Sequence, residues 1–294
     1  MIKGLGTALI TPFDANGKVD YEALARLLDT QLTGYVDYLV VLGTTGEAAT
    51  MTEKERTEVR TFIRQYVNGR IPLVLGVGGN CTAFVCESLK TIDLRGYEAI
   101  LSVCPYYNKP NQEGLYQHFC AVAEASPIPV LLYNVPGRTG VNLLPETVMR
   151  IYEAQPDKIL GIKEASGNLE QIKHLINLVN RQSIVNRQSS NRQFLVISGD
   201  DGIACEVMQA GGAGLISVAS NAFPEDFWHI VHDQDAALQA KYTEMVRLLF
   251  AEGNPVGIKA VLAQKGIIQN ILRLPLVPAS EGLQQAIRKE IQTQ

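Results

Sequence analysis

The chain has 294 residues, 46% of them hydrophobic and 19% charged, a composition that belongs to a folded globular protein and excludes a disordered or fibrous one. Its 26 basic and 30 acidic residues leave a formal net charge of -4, and no lysine or arginine run forms a local basic field, so nucleic acid is not an expected partner. Met1 to Phe13 carries one cation and a short apolar run interrupted by Pro12, which fits neither a signal peptide nor a membrane span, so a cytoplasmic location is expected.

Short apolar runs recur along the chain: Leu5 to Thr11, Tyr38 to Gly43, Pro72 to Gly78, Ala99 to Val103, Pro129 to Tyr133, Ile159 to Lys163, Phe194 to Gly199 and Gly214 to Val218. All eight are nearly continuously apolar, as expected of parallel strands buried on both faces, and none alternates in the manner of a half-exposed antiparallel strand. Between them the apolar residues follow the helical period, as in Val59, Phe62, Ile63 and Tyr66, or Ile172, Leu175, Ile176 and Val179. Thr52 and Glu55 have the spacing of a capping box and start the helix after the second strand. Eight strand-helix repeats predict an α/β fold of the (β/α)8 TIM-barrel class, with a doubly wound open sheet as the alternative architecture.

Helical patterns continue near Asp226 to Phe250, Val256 to Gln269 and Glu281 to Gln292. The expected organisation is therefore a catalytic barrel over 1–222, followed over 223–294 by the last barrel helix and a helical C-terminal appendage packed on the barrel. The stretch Asn180 to Gln193 repeats Asn-Arg-Gln three times and reads as a polar surface insertion between the sixth helix and the seventh strand, on the face opposite the catalytic one. Five cysteines, an odd set with no C-x-x-C pair, are expected to be reduced thiols, mostly buried. His229 and His232 are suitably spaced for two metal ligands on a helix, but no third ligand is in view and no metal is expected.

In a barrel of this class the loops after the strands build the active site. Strand two runs into Gly43-Thr44-Thr45-Gly46-Glu47, strand four into Pro105-Tyr106-Tyr107, strand five into Tyr133-Asn134-Val135-Pro136-Gly137-Arg138-Thr139, and strand six into Lys163-Glu164-Ala165-Ser166. A lysine closing an apolar strand is sheltered from water, which disfavours its ammonium form. The neutral amine can attack a carbonyl and form an imine. The competing reading pairs Lys163 with Glu164 or another carboxylate as a structural ion pair. Tyr133 could shuttle a proton beside such an imine or simply pack in the core. Thr44 and Thr45 could bind a small carboxylate or merely cap a turn, and Arg138 could clamp a carboxylate through two hydrogen bonds or sit solvated. Gly76-Val77-Gly78-Gly79 lacks the spacing of a dinucleotide site.

Taken together and in this order, these motifs resemble the dihydrodipicolinate synthase/N-acetylneuraminate lyase family, and Ser198-Gly199-Asp200-Asp201, Ile216-Ser217-Val218, Asn254-Pro255 and Leu274-Pro275 fit the same pattern. The resemblance implies that Lys163 forms a Schiff base with pyruvate, that Thr44 and Thr45 hold the pyruvate carboxylate, and that the backbones of Gly199 and Ile216 line the pocket. It further implies a proton relay of Tyr133, Thr45 and Tyr107, with Tyr107 supplied by a neighbouring subunit. A homo-oligomer follows, expected to be a tetramer built as a dimer of dimers.

By the same resemblance, Arg138 binds the carboxylate of L-aspartate 4-semialdehyde, which points to the family branch that forms 4-hydroxy-tetrahydrodipicolinate for diaminopimelate and lysine biosynthesis. No metal or organic cofactor is implied. The alternatives are a pyruvate-dependent aldolase acting on sugar acids and a catalytically silent keto-acid sensor. Phe84 stands where lysine-inhibited members carry an acidic residue, although Asn80 and Tyr106 match, so feedback inhibition by lysine is not expected.

Overall fold

The structure is a computed structural model that describes residues 2–185 and 193–293. Its eight strands are β1 (Gly4–Ala8), β2 (Tyr38–Val41), β3 (Leu73–Gly76), β4 (Ala99–Val103), β5 (Val130–Asn134), β6 (Ile159–Glu164), β7 (Leu195–Ser198) and β8 (Gly214–Ser217). They are parallel and follow one another in sequence order round a closed barrel, so the barrel expectation holds and the open sheet does not. The main helices that follow the strands are α1 (Tyr21–Gln31), α2 (Glu53–Val67), α3 (Thr82–Thr91), α4 (Gln112–Ala125), α5 (Pro145–Ala154), α6 (Leu169–Val185), α7 (Ala204–Gln209) and α8 (Pro224–His232).

The chain divides into two compact units, Met1–Leu73 with Ile216–Gln294, and Val74–Leu215. In the second, β4 and β5 are apolar and almost wholly buried, as strands covered on both faces must be. Gly161 in β6 is required by close approach: a Cβ there would lie 2.1 Å from the Leu195 carbonyl oxygen of β7. Residues 180–185, expected to begin a surface insertion, continue α6 to Val185; the rest of that stretch, 186–192, lies outside the described residues.

In the first unit the capping box that starts α2 is present in both directions. The Thr52 hydroxyl accepts from the Glu55 N–H at 3.2 Å, and the Glu55 carboxylate accepts from the Thr52 N–H at 2.9 Å. The helical pattern from Asp226 to Phe250 resolves into three helices, α8, α9 (Ala236–Lys241) and α10 (Thr243–Phe250). The first break is local chemistry: Gln234 takes a left-handed φ of 54°, and the Asp235 carboxylate caps the new helix through the Leu238 N–H at 2.9 Å. The pattern from Val256 to Gln269 stops early, as α11 (Val256–Gln264), where Gly266 turns left-handed; α12 (Glu281–Ile291) starts on a Ser280 cap.

All five cysteines are free thiols, but only Cys104 and Cys205 are buried, Cys81 being exposed, so burial is less general than expected. His229 and His232 diverge onto different carboxylates, Asp233 at 2.6 Å and Asp37 at 2.7 Å. Among the described residues no cluster of three His, Cys, Asp or Glu side chains is arranged to hold a metal ion, and no helix is long and apolar enough to cross a membrane.

Candidate active site

Strand register builds the reactive part of Val74–Leu215. In the β5–β6 ladder Tyr133 pairs with Lys163 and Asn134 with Glu164; in the β6–β7 ladder Lys163 pairs with Ile197 and Glu164 with Ser198. Because side chains alternate along a strand, Tyr133 and Lys163 share one face of the sheet while Asn134 and Glu164 share the other. Lys163 is only 6% exposed. Its Nζ stands 4.5 Å from the centroid of the Tyr133 ring and has no hydrogen-bond or ion-pair partner among the described residues.

The expected competitor for that amine, Glu164, is engaged on the opposite face. Its carboxylate accepts from Asn134 Nδ2 at 2.8 Å, from Gln171 Nε2 at 3.2 Å and from the Ser166 N–H at 2.7 Å. Asn142 completes the network, accepting from Asn134 at 2.8 Å and donating to Gln171 at 2.8 Å, while Asn134 Oδ1 accepts from the Leu143 N–H at 2.9 Å. A buried carboxylate is tolerated when it is fully hydrogen-bonded, and here it also ties together the ends of β5 and β6, the segment 139–143 and α6. The ion-pair reading of Lys163 and Glu164 is thereby excluded. Burial, with Glu164 nearby, pushes the Cys104 thiol far above its ordinary range, so this buried cysteine is held neutral.

Three more expected residues lie in this unit. Gly199 follows β7 with its N–H on the Glu164 carbonyl at 2.8 Å, and a Cβ built on it would stand 2.8 Å from Lys163 Cε, so the lysine side chain crosses directly over it. Arg138 is exposed in a single helical turn, Pro136–Thr139, that the Thr139 hydroxyl braces against the Val141 carbonyl at 2.9 Å. Tyr107 is 89% exposed at a left-handed φ of 74°, and its N–H reaches the Thr139 carbonyl at 3.4 Å. Phe84, on α3, is exposed and offers no charge for an ammonium group.

In the other unit, Thr44 and Thr45 form one turn of 3-10 helix, Thr44–Gly46, with Thr44 exposed and Thr45 buried. Two residues near its ends, Leu42 and Glu47, adopt left-handed φ values of 55° and 53°. Non-glycine residues pay for such angles, and strained backbone of this kind concentrates at functional sites. The Thr45 hydroxyl accepts from Asn254 Nδ2 at 2.9 Å, and the Thr11 hydroxyl donates to the Gly46 carbonyl at 2.8 Å. Ile216, in β8, is fully buried.

Behind this turn lies an ion pair that local sequence patterns do not reveal. Lys259 of α11 meets Glu47, and both side chains are fully buried. Lys259 also donates to the Ile271 carbonyl at 3.0 Å and lies 4.2 Å from the centroid of the Phe13 ring. Burial pushes the Lys259 ammonium down to about 8, against the opposing pull of Glu47. The only signal available beforehand was an unusual polar residue, Lys259, inside the apolar run of α11; its partner is more than two hundred residues away in sequence.

Taken as chemistry, Val74–Leu215 presents an unpaired, water-sheltered amine beside a phenol, the requirement for carbonyl capture as an imine. The dihydrodipicolinate synthetase family model matches residues 1–294. A 4-hydroxy-tetrahydrodipicolinate synthase of Parabacteroides distasonis is 49% identical over 295 residues, covering 98% of this chain and 95% of that protein. The crystal structure of dihydrodipicolinate synthase from Thermotoga maritima has a TM-score of 0.92 at 39% identity, over 99% of this chain and 98% of that one. That of the Acinetobacter baumannii enzyme complexed with pyruvate gives 0.91 at 38%, over 100% and 99%.

Proposed function

Because the chain belongs to the dihydrodipicolinate synthetase family, we propose that it is a Schiff-base-forming lyase that condenses pyruvate with L-aspartate 4-semialdehyde to 4-hydroxy-tetrahydrodipicolinate, a step of diaminopimelate and lysine biosynthesis. The observation that carries this reading is the register of β5 and β6, which sets an amine without an ion-pair partner beside the Tyr133 phenol.

In the proposed reaction the neutral Lys163 amine adds to the keto carbon of pyruvate. Tyr133 delivers a proton to the departing hydroxyl, water leaves, and an imine forms. Loss of a proton from the pyruvate methyl carbon gives the enamine, which attacks the aldehyde carbon of the semialdehyde. The semialdehyde amino group then adds to the imine carbon and expels Lys163, closing the ring. The electron sink is the covalent imine itself, so no separate cofactor is assigned. Thr44 and Thr45 hold the pyruvate carboxylate, and Arg138 binds that of the semialdehyde. Gly199 and Ile216 line the pocket through their backbones. Tyr133, Thr45 and Tyr107 form the proton relay, with Tyr107 contributed by a neighbouring subunit. Its near-complete exposure in the single chain supports that assignment, and with it a homo-oligomer, which we assign as a tetramer made of two dimers. Residues 1–222 are the proposed catalytic barrel and 223–294 its last helix and helical extension, in a cytoplasmic enzyme.

The test is borohydride reduction of the purified protein with pyruvate, followed by peptide mapping. A covalent adduct on Lys163, absent from Lys163→Ala, together with turnover confined to the semialdehyde, is the expected result. Turnover only with sugar aldehydes would move the chain to the sugar-acid branch of the fold, and no adduct at all would refute the mechanism.

A further inference from the structure

One stretch of chain reaches the Thr44–Gly46 turn twice. Asn254, two residues before α11, donates to the Thr45 hydroxyl at 2.9 Å, and Lys259, within α11, pairs with Glu47, the residue that ends the turn. Glu47 is also the joint from which the next 3-10 turn, Ala48–Thr50, begins, and it holds a left-handed φ of 53° there. Its second carboxylate oxygen accepts from the Arg273 N–H at 3.4 Å, and its carbonyl accepts from the Thr50 hydroxyl at 3.0 Å. A residue whose backbone is unfavourable on its own must be held by its surroundings, and here its side chain is held as well as its backbone.

A buried ion pair is a poor source of stability, because the cost of stripping water from both charges offsets their attraction, and a well-packed apolar pair of similar size often does as well. What such a pair does supply is direction: it admits one arrangement of the groups it joins. The Asn254 bond acts at finer scale. It occupies one lone pair of the Thr45 oxygen, leaving that hydroxyl one hydrogen to donate and one lone pair to accept with, the valence that a relay or a carboxylate contact uses.

We infer that Glu47, Lys259 and Asn254 are positioning residues that fix the Thr44–Thr45 turn for the carboxylate of the keto acid, the ion pair setting the backbone and Asn254 the hydroxyl. The inference rests on the reading of Thr44 and Thr45 as the holders of that carboxylate. None of the three residues is required to touch substrate. Their loss acts through the turn, on pyruvate and not on the second substrate.

The experiment uses the full-length enzyme and three variants. Glu47→Gln combined with Lys259→Met removes both charges while keeping volume, so neither is left buried alone. The expected result is an unfolding midpoint no lower than wild type and a pyruvate KM raised about fivefold or more, with the semialdehyde KM unmoved. Asn254→Ala, which removes the hydrogen bond to Thr45 and leaves the ion pair intact, raises the pyruvate KM in the same direction and serves if the double variant does not fold. Thr45→Val separates the inference from its premise. If it raises the pyruvate KM while the other two variants do not, the positioning role is wrong and the premise stands. If Thr45→Val also leaves the KM unchanged, both fall. A KM change that appears only together with a lowered unfolding midpoint, or equally for both substrates, assigns the pair to scaffold and overturns the inference.

Discussion

Adding a single methyl group at Gly199 tests the placement of Lys163 more sharply than removing the lysine does. An alanine Cβ there would stand 2.6 Å from Ala165 Cβ, 2.8 Å from Lys163 Cε and 3.1 Å from Lys163 Cγ. Carbon atoms rest at about 3.5–4.0 Å, so something must retreat by about 1 Å. The backbone on both sides is held: the Gly199 N–H is on the Glu164 carbonyl at 2.8 Å, and the Ala165 N–H is on the Asn134 carbonyl at 2.8 Å. The Lys163 side chain can swing aside, but the 2.6 Å contact with Ala165 Cβ is relieved only by a shift of backbone. Gly199 does not occupy the left-handed region, so its φ adds no further strain.

The expected stability cost is therefore at the upper end of overpacking, about 3 kcal/mol. Displacing a reacting nitrogen by about 1 Å carries a separate cost to catalysis, on the order of a hundredfold in rate, or about 2.7 kcal/mol of barrier. The assay is the rate of borohydride-trapped pyruvate adduct for Gly199→Ala, measured beside kcat and the urea unfolding midpoint. Trapping at the wild-type rate in a normally folded variant would refute the path drawn for the lysine over Gly199. An unchanged urea midpoint would refute the claim that backbone must move at Ala165.

Two further predictions concern pH. Burial pushes His118 of α4 down to about 4, and its Nδ1 is held by the Thr82 hydroxyl at 2.9 Å. The unfolded chain takes up this proton below about 6.5 and the folded chain does not until about 4, so stability is full above 6.5 and declines as pH falls; from pH 7 to 5 the loss is about 2 kcal/mol, and His118→Gln should show a correspondingly flatter urea midpoint over that range. Glu55 is held down at about 2, chiefly by Arg273 and then by the Thr52 N–H, so its contribution is present above the ordinary carboxylate range and lost as pH falls toward 2. Its side chain is about a quarter exposed, and after screening this is worth about 1–2 kcal/mol; Glu55→Gln should lower stability by that amount at pH 7 and not at pH 2, and equal effects at both would remove the Arg273 bond from the account.

What the sequence discloses and what it conceals divide by the range of the interaction. Strands with both faces buried are apolar throughout, so all eight were legible as runs, and the Thr52–Glu55 box marked the start of α2 because both partners lie within one turn. Lys163, Tyr133, Thr44 and Thr45 stood out as candidates because barrel chemistry sits at and just past the strand ends. The helix boundaries after Asp226 were not, since a left-handed Gln234 leaves no mark on apolar periodicity. The partner of Glu47 was not either, because a contact between residues 47 and 259 has no signature in local spacing.

The fate of Glu164 shows why adjacency in sequence misleads at a strand end. A lysine followed at once by a glutamate looks like an ion pair, yet along a strand consecutive side chains leave on opposite faces, and the β5–β6 register places Asn134, not Lys163, beside the carboxylate. The same alternation that denies Lys163 its neighbouring charge supplies it with Tyr133. A salt bridge to Glu164 would instead engage the nitrogen that the proposed attack on a carbonyl uses. The role proposed for Lys163 thus rests on period-two geometry and one strand register, with Gln171 and Asn142 holding the Glu164 carboxylate on the opposite face.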